Sequence, residues 1–496
     1  MSAKKTAQDR PNVILIVVDD LGAVDLACTG SDFYETPHLD ALAASGMRFT
    51  DAYASAPVCS PTRASLLTGK SPARVGVTQY IGGFATGALR DVPYFRELPE
   101  DEYTLARALA DAGYASWHVG KWHLGPRRTW PDRHGFEVNI GGCHMGSPTT
   151  YHSPYGIDTL EEGPEGEYLT DRLTNEAITL IRERDERPFF LNLWHYAVHT
   201  PIEPPGGLSA KYEAKARRMG RDLDVLRDEE EMPTWHLRGV HVRRRQRQGD
   251  PDYAAMVEHL DACVGRLLDA LDGEGIRENT LIIFTSDNGG LATAEGSPTS
   301  NLPLSEGKGW MQEGGVRIPL LVSMPGVVPH ASISDVPAIS ADIYPTVLGM
   351  CGLPLVPEQH VDGVDLSSHW RGQPAERGPL FWHYPHYANQ GGTPGAAVRD
   401  GRYKLIRLYE DDTELLFDLE ADVSEQHDLC AVLPGEADRL RSLLDTWIED
   451  VGGLIPQPRI PLTDAEGRAI WPPETSAKPS KESPSAREKD AYEHVS

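Results

Sequence analysis

The chain has 496 residues, 40% hydrophobic and 24% charged, enough for a large core plus a smaller second domain. Its formal net charge of −27 excludes a general nucleic-acid binder, which needs a basic face, and requires local cations to draw in any anionic substrate. The six cysteines, Cys28, Cys59, Cys143, Cys263, Cys351 and Cys430, form no C-x-x-C pair, which argues against a thiolate metal knuckle or a dithiol redox site.

Met1 to Arg10 is short, polar and without an apolar stretch, and no run of transmembrane length follows. The expectation is a cytoplasmic protein with no membrane association. The first predicted strand, Val13 to Val18, ends in Asp19-Asp20. Next comes Cys59-Ser60-Pro61-Thr62-Arg63, which reads as an exposed cysteine opening a helix, with Pro61 in the first turn. Residue 59 then sits at a helix N-terminus, where free N–H groups and the dipole favour an anion. Arg63 lies one turn on and faces back. A buried cysteine beside a helix start is the plainer alternative.

Thr104 to Ala112 reads as a helix and Ala115 to Val119 as a strand ending in Gly-Lys121-Trp-His123. The segment from Gly141 carries His144, Tyr151, His152 and Tyr155, which suit either a sugar-binding wall or ordinary loop packing. A strand from Phe189 to Leu193 leads into Trp194-His195-Tyr196 and His199. Between Ala210 and Asp250 the charge is dense, including Arg243-Arg244-Arg245. That segment reads as a solvated helical insertion or, alternatively, as a basic lip for an anionic substrate.

Tyr253 to Asp272 is a predicted helix, and Leu281 to Thr285 is a strand ending in Ser286-Asp287-Asn288. Continuous apolar runs of strand length are the mark of strands buried on both faces. Their alternation with helices predicts an α/β protein with a large, mostly parallel sheet sandwiched by helices. Ligands gather at the carboxyl ends of such strands, and all four ends here are charged, histidine or amide. Asp19, Asp20, Asp287 and Asn288 are hard oxygen donors, suited to Ca²⁺ more than Mg²⁺ and to either more than zinc. Turn formation and capping are the alternative use of such residues. Uncompensated carboxylates on adjacent buried strands are costly without a cation.

Pro and Gly around Arg371 to Pro379 predict a boundary, with residues 11–375 as the catalytic domain. Ala396 to Leu408 and Glu414 to Leu419 then alternate apolar and polar residues as antiparallel strands do, and Glu436 to Val451 is an amphipathic helix. Residues 380–455 are therefore expected to form a smaller antiparallel α+β subdomain. From Gln457 to Ser496 the composition predicts an extended or disordered tail.

From Pro11 to about Val451 the sequence resembles the type I sulfatases of the alkaline phosphatase superfamily, bacterial carbohydrate sulfatases in particular. The likeness rests on Pro11 to Asp20, the Cys59 motif with its Leu-x-Thr-Gly continuation, Gly120-Lys121-Trp122-His123-Leu124-Gly125 and His199-Thr-Pro201. Gly307-Lys308-Gly309 and Glu313-Gly314-Gly315-Val-Arg317 complete the ordered set. The resemblance implies that a maturation enzyme oxidises Cys59 to formylglycine, and that its hydrate attacks sulfur to give a covalent sulfo-enzyme before inorganic sulfate leaves. It implies Ca²⁺ on Asp19, Asp20, Asp287, Asn288 and an oxygen of residue 59. Arg63 would help ionise the hydrate. Lys121 and Lys308 would stabilise charge on the sulfate oxygens. His199 would protonate the leaving group with Lys308 assisting, and His123 would take the proton that triggers release. Phe381 to Tyr387 resembles a segment that closes over sugars in this family, which makes His383 and His386 expected substrate contacts, with ordinary domain-interface packing as the alternative. A small sulfated carbohydrate, attacked from its end, is the implied substrate. A phosphonate monoester hydrolase or phosphodiesterase on the same scaffold is the alternative. Glu425 is expected to be structural.

Overall fold

A computed structural model of the chain describes residues 10–222, 225–459, 462–463 and 469–470. Its centre is an eight-stranded sheet. Reading across, the strands are Ser332–Ser334, Met47–Phe49, Leu320–Ser323, Thr280–Ser286, Asn12–Val18, Phe189–Trp194, Ala115–Gly120 and Val138–Ile140. Neighbours run parallel except at Leu320–Ser323, which is antiparallel to both of its partners. The sheet is therefore mixed, with the predicted parallel set at its middle.

Val13, Leu15 and Val17 point into one core with the helices Cys59–Thr68, Leu105–Asp111 and Ile343–Cys351. Ile14, Ile16 and Val18 point into the other, with Leu169–Glu183 and Pro251–Gly273. Both faces are covered, which is why the strand carries no polar alternation. The 23-residue helix Pro251–Gly273 starts where the Asp250 side chain accepts the amides of Asp252 and Tyr253, with proline at its first position.

Register places the site. Val18 pairs with Ser286, while Trp194 pairs with both Val17 and Gly120. The amide of His195 then reaches Val17, that of Asp287 reaches Val18 and that of Lys121 reaches Trp194. Asp19, Asp287, His195 and Lys121 thus leave the sheet at the same edge.

A four-stranded antiparallel sheet follows, Leu380–Tyr384, Gly395–Asp400, Tyr403–Leu408 and Thr413–Asp418, with the helix Pro434–Asp450. Ala396, Val398, Leu405 and Leu416 pack on that helix. Trp382, Ala397, Ile406 and Phe417 pack against Tyr53, Val58 and Val316 of the larger unit. The smaller sheet is therefore clamped next to the loop that carries residue 59.

The charged segment is not a purely helical insertion. After the helix Ser209–Met219, strands Leu226–Glu231 and His241–Arg245 pair as a hairpin, which sets an acidic run on one strand beside an arginine run on the other. Arg243 bonds Asp228, Arg245 bonds Asp250, and Arg244 is shared among Glu229, Glu230 and Glu306. Three of the arginines offered for a basic lip are thus already neutralised. At the end of the chain, the Gln457 carbonyl accepts from Arg90 and the Arg459 amide donates to Ala88. The predicted tail from residue 460 onward otherwise lies outside the described residues, apart from the short pairing of Leu462–Thr463 with Ala469–Ile470. No described helix is long and apolar enough to cross a membrane.

Candidate active site

Val58 is extended, with φ −142° and ψ 162°, and Cys59 is the first residue of the ten-residue helix that ends at Gly69 in the left-handed region. Ala56 and Thr62 lock the turn, the Thr62 hydroxyl accepting the Ala56 amide at 3.1 Å. The cysteine is not the exposed residue expected from the motif. It is 3% accessible, because the smaller sheet and the loops after the strands close over the helix start. Burial pushes its thiol above the usual range, despite the nearby Lys121 and Lys308. A buried thiol held protonated is a poor nucleophile.

Across from it stands His123, whose Nδ1 is 3.3 Å from the Cys59 sulfur. The other ring nitrogen is 2.8 Å from the Ile81 carbonyl and must donate to it. Nδ1 is therefore the lone-pair nitrogen. Burial, reinforced by the Lys121 charge, holds the imidazole well below its ordinary pKa, so it stays neutral. His123 has φ 54°, an uncommon conformation for a residue with a side chain. Ser60 helps fix it, donating to the His123 carbonyl at 2.8 Å and accepting the Ile81 amide at 3.0 Å. Nothing in the sequence singled out Ser60, because its role depends on a loop distant along the chain.

The acidic strand ends meet as expected. Asp19, Asp287 and Asn288 are fully buried and Asp20 nearly so. Arg63 bridges to Asp287 at 2.7 Å and lies over the Trp194 ring, Lys121 reaches Asp19, and Lys308 reaches Asp20 at 2.8 Å. Burial and the Asp287 charge push Asp19 upward. Burial also works to raise Asp20, but the Lys308 charge wins and holds it down. Asp19 Oδ1 and Asn288 Oδ1 are buried and have no hydrogen-bond partner. Asp20 has φ 62°, a second uncommon backbone conformation in this cluster. Two orphaned oxygens among three carboxylates fit a hard divalent cation of the Ca²⁺ or Mg²⁺ kind.

His199 closes the opposite side. Its Nδ1 bonds the Thr200 carbonyl at 2.8 Å, which leaves Nε2 to accept from Lys308 at 3.0 Å. Burial, and then the Lys308 charge, lower the imidazole to about 4. At rest the proton therefore sits on Lys308 rather than on His199.

The expected substrate contacts divide. His144 is exposed on a loop beside the site: its side chain lies 3.9 Å from Asp158, the Cys143 carbonyl accepts the His123 amide, and Gly146 packs on the His123 ring. The other three are corrected by their partners. The Tyr151 phenol is buried 2.7 Å from the Tyr196 carbonyl and 2.9 Å from that of His199, so it props the His199 loop. His383 is held between the Tyr409 hydroxyl and the Leu454 carbonyl, and His386 between Thr78 and Asp91. Neither presents a free ring nitrogen, because the smaller sheet turns both inward. Of the loop aromatics, Tyr155 is buried on Glu167 and His152 packs on Tyr168. The chain just beyond Phe381 to Tyr387 comes beside Tyr80 and the Lys308 loop, through Asn389 and Gln390.

Glu313 and Arg317 do not touch the catalytic cluster. They form a buried network with Lys404, Glu425 and Asp51 between the two sheets, which accords with the structural role expected of Glu425.

A family model described as Sulfatase matches residues 11–353, and one described as N-sulphoglucosamine sulphohydrolase, C-terminal, matches residues 307–444. A Formosa agariphila protein named Sulfatase is 31% identical, with 90% of each chain covered. N-acetylgalactosamine-6-sulfatase of Mus musculus is 32% identical over 80% of this chain and 72% of that one. Among solved structures, Ps i-CgsB in complex with k-i-k-neocarrahexaose superposes with a TM-score of 0.68 at 28% identity. That match covers 88% of this chain and 92% of the other.

Proposed function

The chain belongs to the sulfatase family and is a sulfuric ester hydrolase, and from that premise we propose that it removes sulfate from the end of a small sulfated carbohydrate. We assign the nucleophile to residue 59 after conversion of the cysteine to formylglycine by a maturation enzyme, with Ca²⁺ as the metal. The observation that carries this reading is the setting of residue 59. It is buried at a helix start, with the lone pair of His123 Nδ1 at 3.3 Å and an unpaired carboxylate oxygen of Asp19 and amide oxygen of Asn288 at the neighbouring strand ends. A sugar substrate is supported by relatives whose names or ligands are carbohydrate.

When present, the modified residue would supply a hydrated aldehyde as nucleophile and the cation would lower the cost of ionising it. Asp19, Asp20, Asp287 and Asn288 would hold the cation. His123, with its Nδ1 lone pair facing residue 59 at 3.3 Å, would take a proton from that residue. The Ile81 carbonyl accepts from Nε2, which keeps Nδ1 the lone-pair nitrogen until that proton arrives. Arg63 and Lys121 balance the acidic cluster and, with Lys308, oppose the charge that grows on the sulfate oxygens. Lys308 and His199 together hold the proton needed by the departing sugar oxygen. Lys308 carries it, and the contact at 3.0 Å gives it a route to His199 Nε2.

Inorganic sulfate release from sulfated mono- and disaccharides tests the reading, with protein co-expressed with a formylglycine-generating enzyme and a phosphonate monoester run in parallel. Sulfate released from a sugar, with an aldehyde at residue 59 in its tryptic peptide, is the expected result. Turnover of the phosphonate with every sulfate inert would move the protein to the rival chemistry.

A further inference from the structure

We infer that Glu295 and Gln390 form a donor-seeking subsite on the leaving-group side, one that accepts an uncharged or amino sugar and rejects a sugar carrying a second anion beside its sulfate. This assignment rests on the sulfatase reading above and names the substrate class within it.

Gln390 lies in the smaller unit's loop and is 4% accessible. Its carbonyl is held at 2.9 Å by both the Thr293 hydroxyl and the Trp310 indole, so the residue is fixed in place. Its side-chain nitrogen donates to Glu295 Oε1. A carboxylate only accepts, which settles the orientation of the amide. Oε1 is then left without a partner, and it lies 3.1 Å from where a Cβ on Gly309 would stand. Gly309 directly follows Lys308 and has φ +87°, so a side chain is excluded on both counts. The unpaired oxygen is thus placed beside the backbone that presents Lys308. A buried acceptor without a partner is unfavourable, and a hydroxyl or ammonium donor from a ligand relieves it.

Glu295 supplies the charge. It is exposed, has φ 53°, and its second oxygen is 3.5 Å from the Thr200 hydroxyl, next to His199. It acts electrostatically on both His199 and Lys308. Tyr80 stands nearby, its pKa pushed up to about 12 by burial and then by Glu295, and its hydroxyl accepts the Asn389 amide at 2.7 Å. The unpaired oxygens on this wall, Gln390 Oε1 and Asn389 Oδ1, are acceptors, and the Glu295 carboxylate sits at its open side. Hydroxyl and ammonium groups are matched there, whereas a carboxylate or second sulfate meets like charge.

The test is competition against hydrolysis of 4-nitrophenyl sulfate by the matured protein, using glucosamine, galactose and glucuronic acid as product-like inhibitors. Glucosamine and galactose should inhibit competitively, at concentrations about tenfold or more below glucuronic acid. Glu295→Gln should erase the preference of glucosamine over glucuronic acid, and Gln390→Met should weaken both neutral and amino sugars. Equal inhibition by all three sugars, tighter glucuronic acid, or no inhibition by any would overturn the subsite. Failure of the matured wild-type protein, with the aldehyde confirmed at residue 59, to hydrolyse any sulfate ester would overturn the sulfatase reading instead. Saturation-transfer NMR with the same sugars would then decide the subsite by itself. The melting temperature of each variant separates lost binding from lost fold.

Discussion

The unprotonated Nδ1 of His123 faces the Cys59 sulfur at 3.3 Å, held there because Nε2 donates to the Ile81 carbonyl. A base is therefore aimed at residue 59 before any substrate arrives. Cys59→Ala should abolish sulfate release while changing unfolding free energy by no more than about 1–2 kcal/mol, since one small buried group is lost. Near-normal release by that variant would sink the assignment of residue 59.

Ser60 couples the two groups that orient this base, through its bonds to the His123 carbonyl and the Ile81 amide. Ser60→Ala should lower kcat by roughly tenfold or more with little change in KM, because misplacement of a proton acceptor slows chemistry more than binding. It should also cost about 1–3 kcal/mol of stability for the groups left unpaired. Ser60→Thr, which keeps the hydroxyl, should recover most of kcat. An equal loss in both variants would show that Ser60 only fills space.

Asp287 is the carboxylate closest to Arg63, and the pair has no solvent exposure. Asp287→Asn keeps the shape and removes a charge. Calcium per chain, read by elemental analysis after dialysis, should fall together with activity, while Asn192→Asp, which pairs with Leu15 well inside the sheet, should leave metal content alone. Calcium unchanged in Asp287→Asn would remove that carboxylate from the metal site.

The parallel core and the polar strand ends were legible because period, run length and strand-end chemistry are local properties. Asp19, Lys121, His199 and Asp287 could be gathered from the rule that such ends share one edge. Ser60, Tyr80, Glu295 and Gln390 could not, since each acquires its role from a partner far along the chain. Gln390 meets Glu295 and Trp310 only after the smaller sheet docks. His383 and His386 misled for the complementary reason. Histidines beside tyrosines resemble a sugar platform, yet here Tyr409 and Asp91 use both rings internally. The alternative of a basic lip at Arg243 to Arg245 fails for a similar reason, because its acidic partners on the paired strand and at Asp250 and Glu306 are brought in by folding.

Lys308 carries the proton nearest His199 Nε2, at 3.0 Å. If that pair serves the departing oxygen, Lys308→Ala should reduce turnover of a sugar sulfate far more than that of 4-nitrophenyl sulfate, whose phenolate needs no proton to leave. The expected separation is about 10²-fold or more, the usual scale of general acid catalysis. Equal losses on both substrates would assign Lys308 to sulfate binding alone.

Lys404 joins Glu313 at 2.8 Å and Glu425 at 3.0 Å with no solvent exposure on any of the three side chains. Glu425 Oε2 in turn accepts the Ser305 hydroxyl and the Glu313 amide, the two ends of the loop that carries Lys308. Lys404→Met would leave two buried carboxylates facing each other and should cost about 3–5 kcal/mol, the scale for breaking a buried pair. The pH dependence follows from the sign of the shift. Burial already raises Glu425, and loss of the lysine raises it further. The folded variant then binds more protons than the unfolded chain above the ordinary carboxylate range, so its stability must fall as pH rises. Urea unfolding at about pH 5 and about pH 8 should show the variant's deficit growing toward the higher pH. A deficit that is constant or shrinks across that interval would mean that the carboxylates are hydrated once the lysine is gone. The loop holding Lys308 would then owe its position to packing rather than to this charge network.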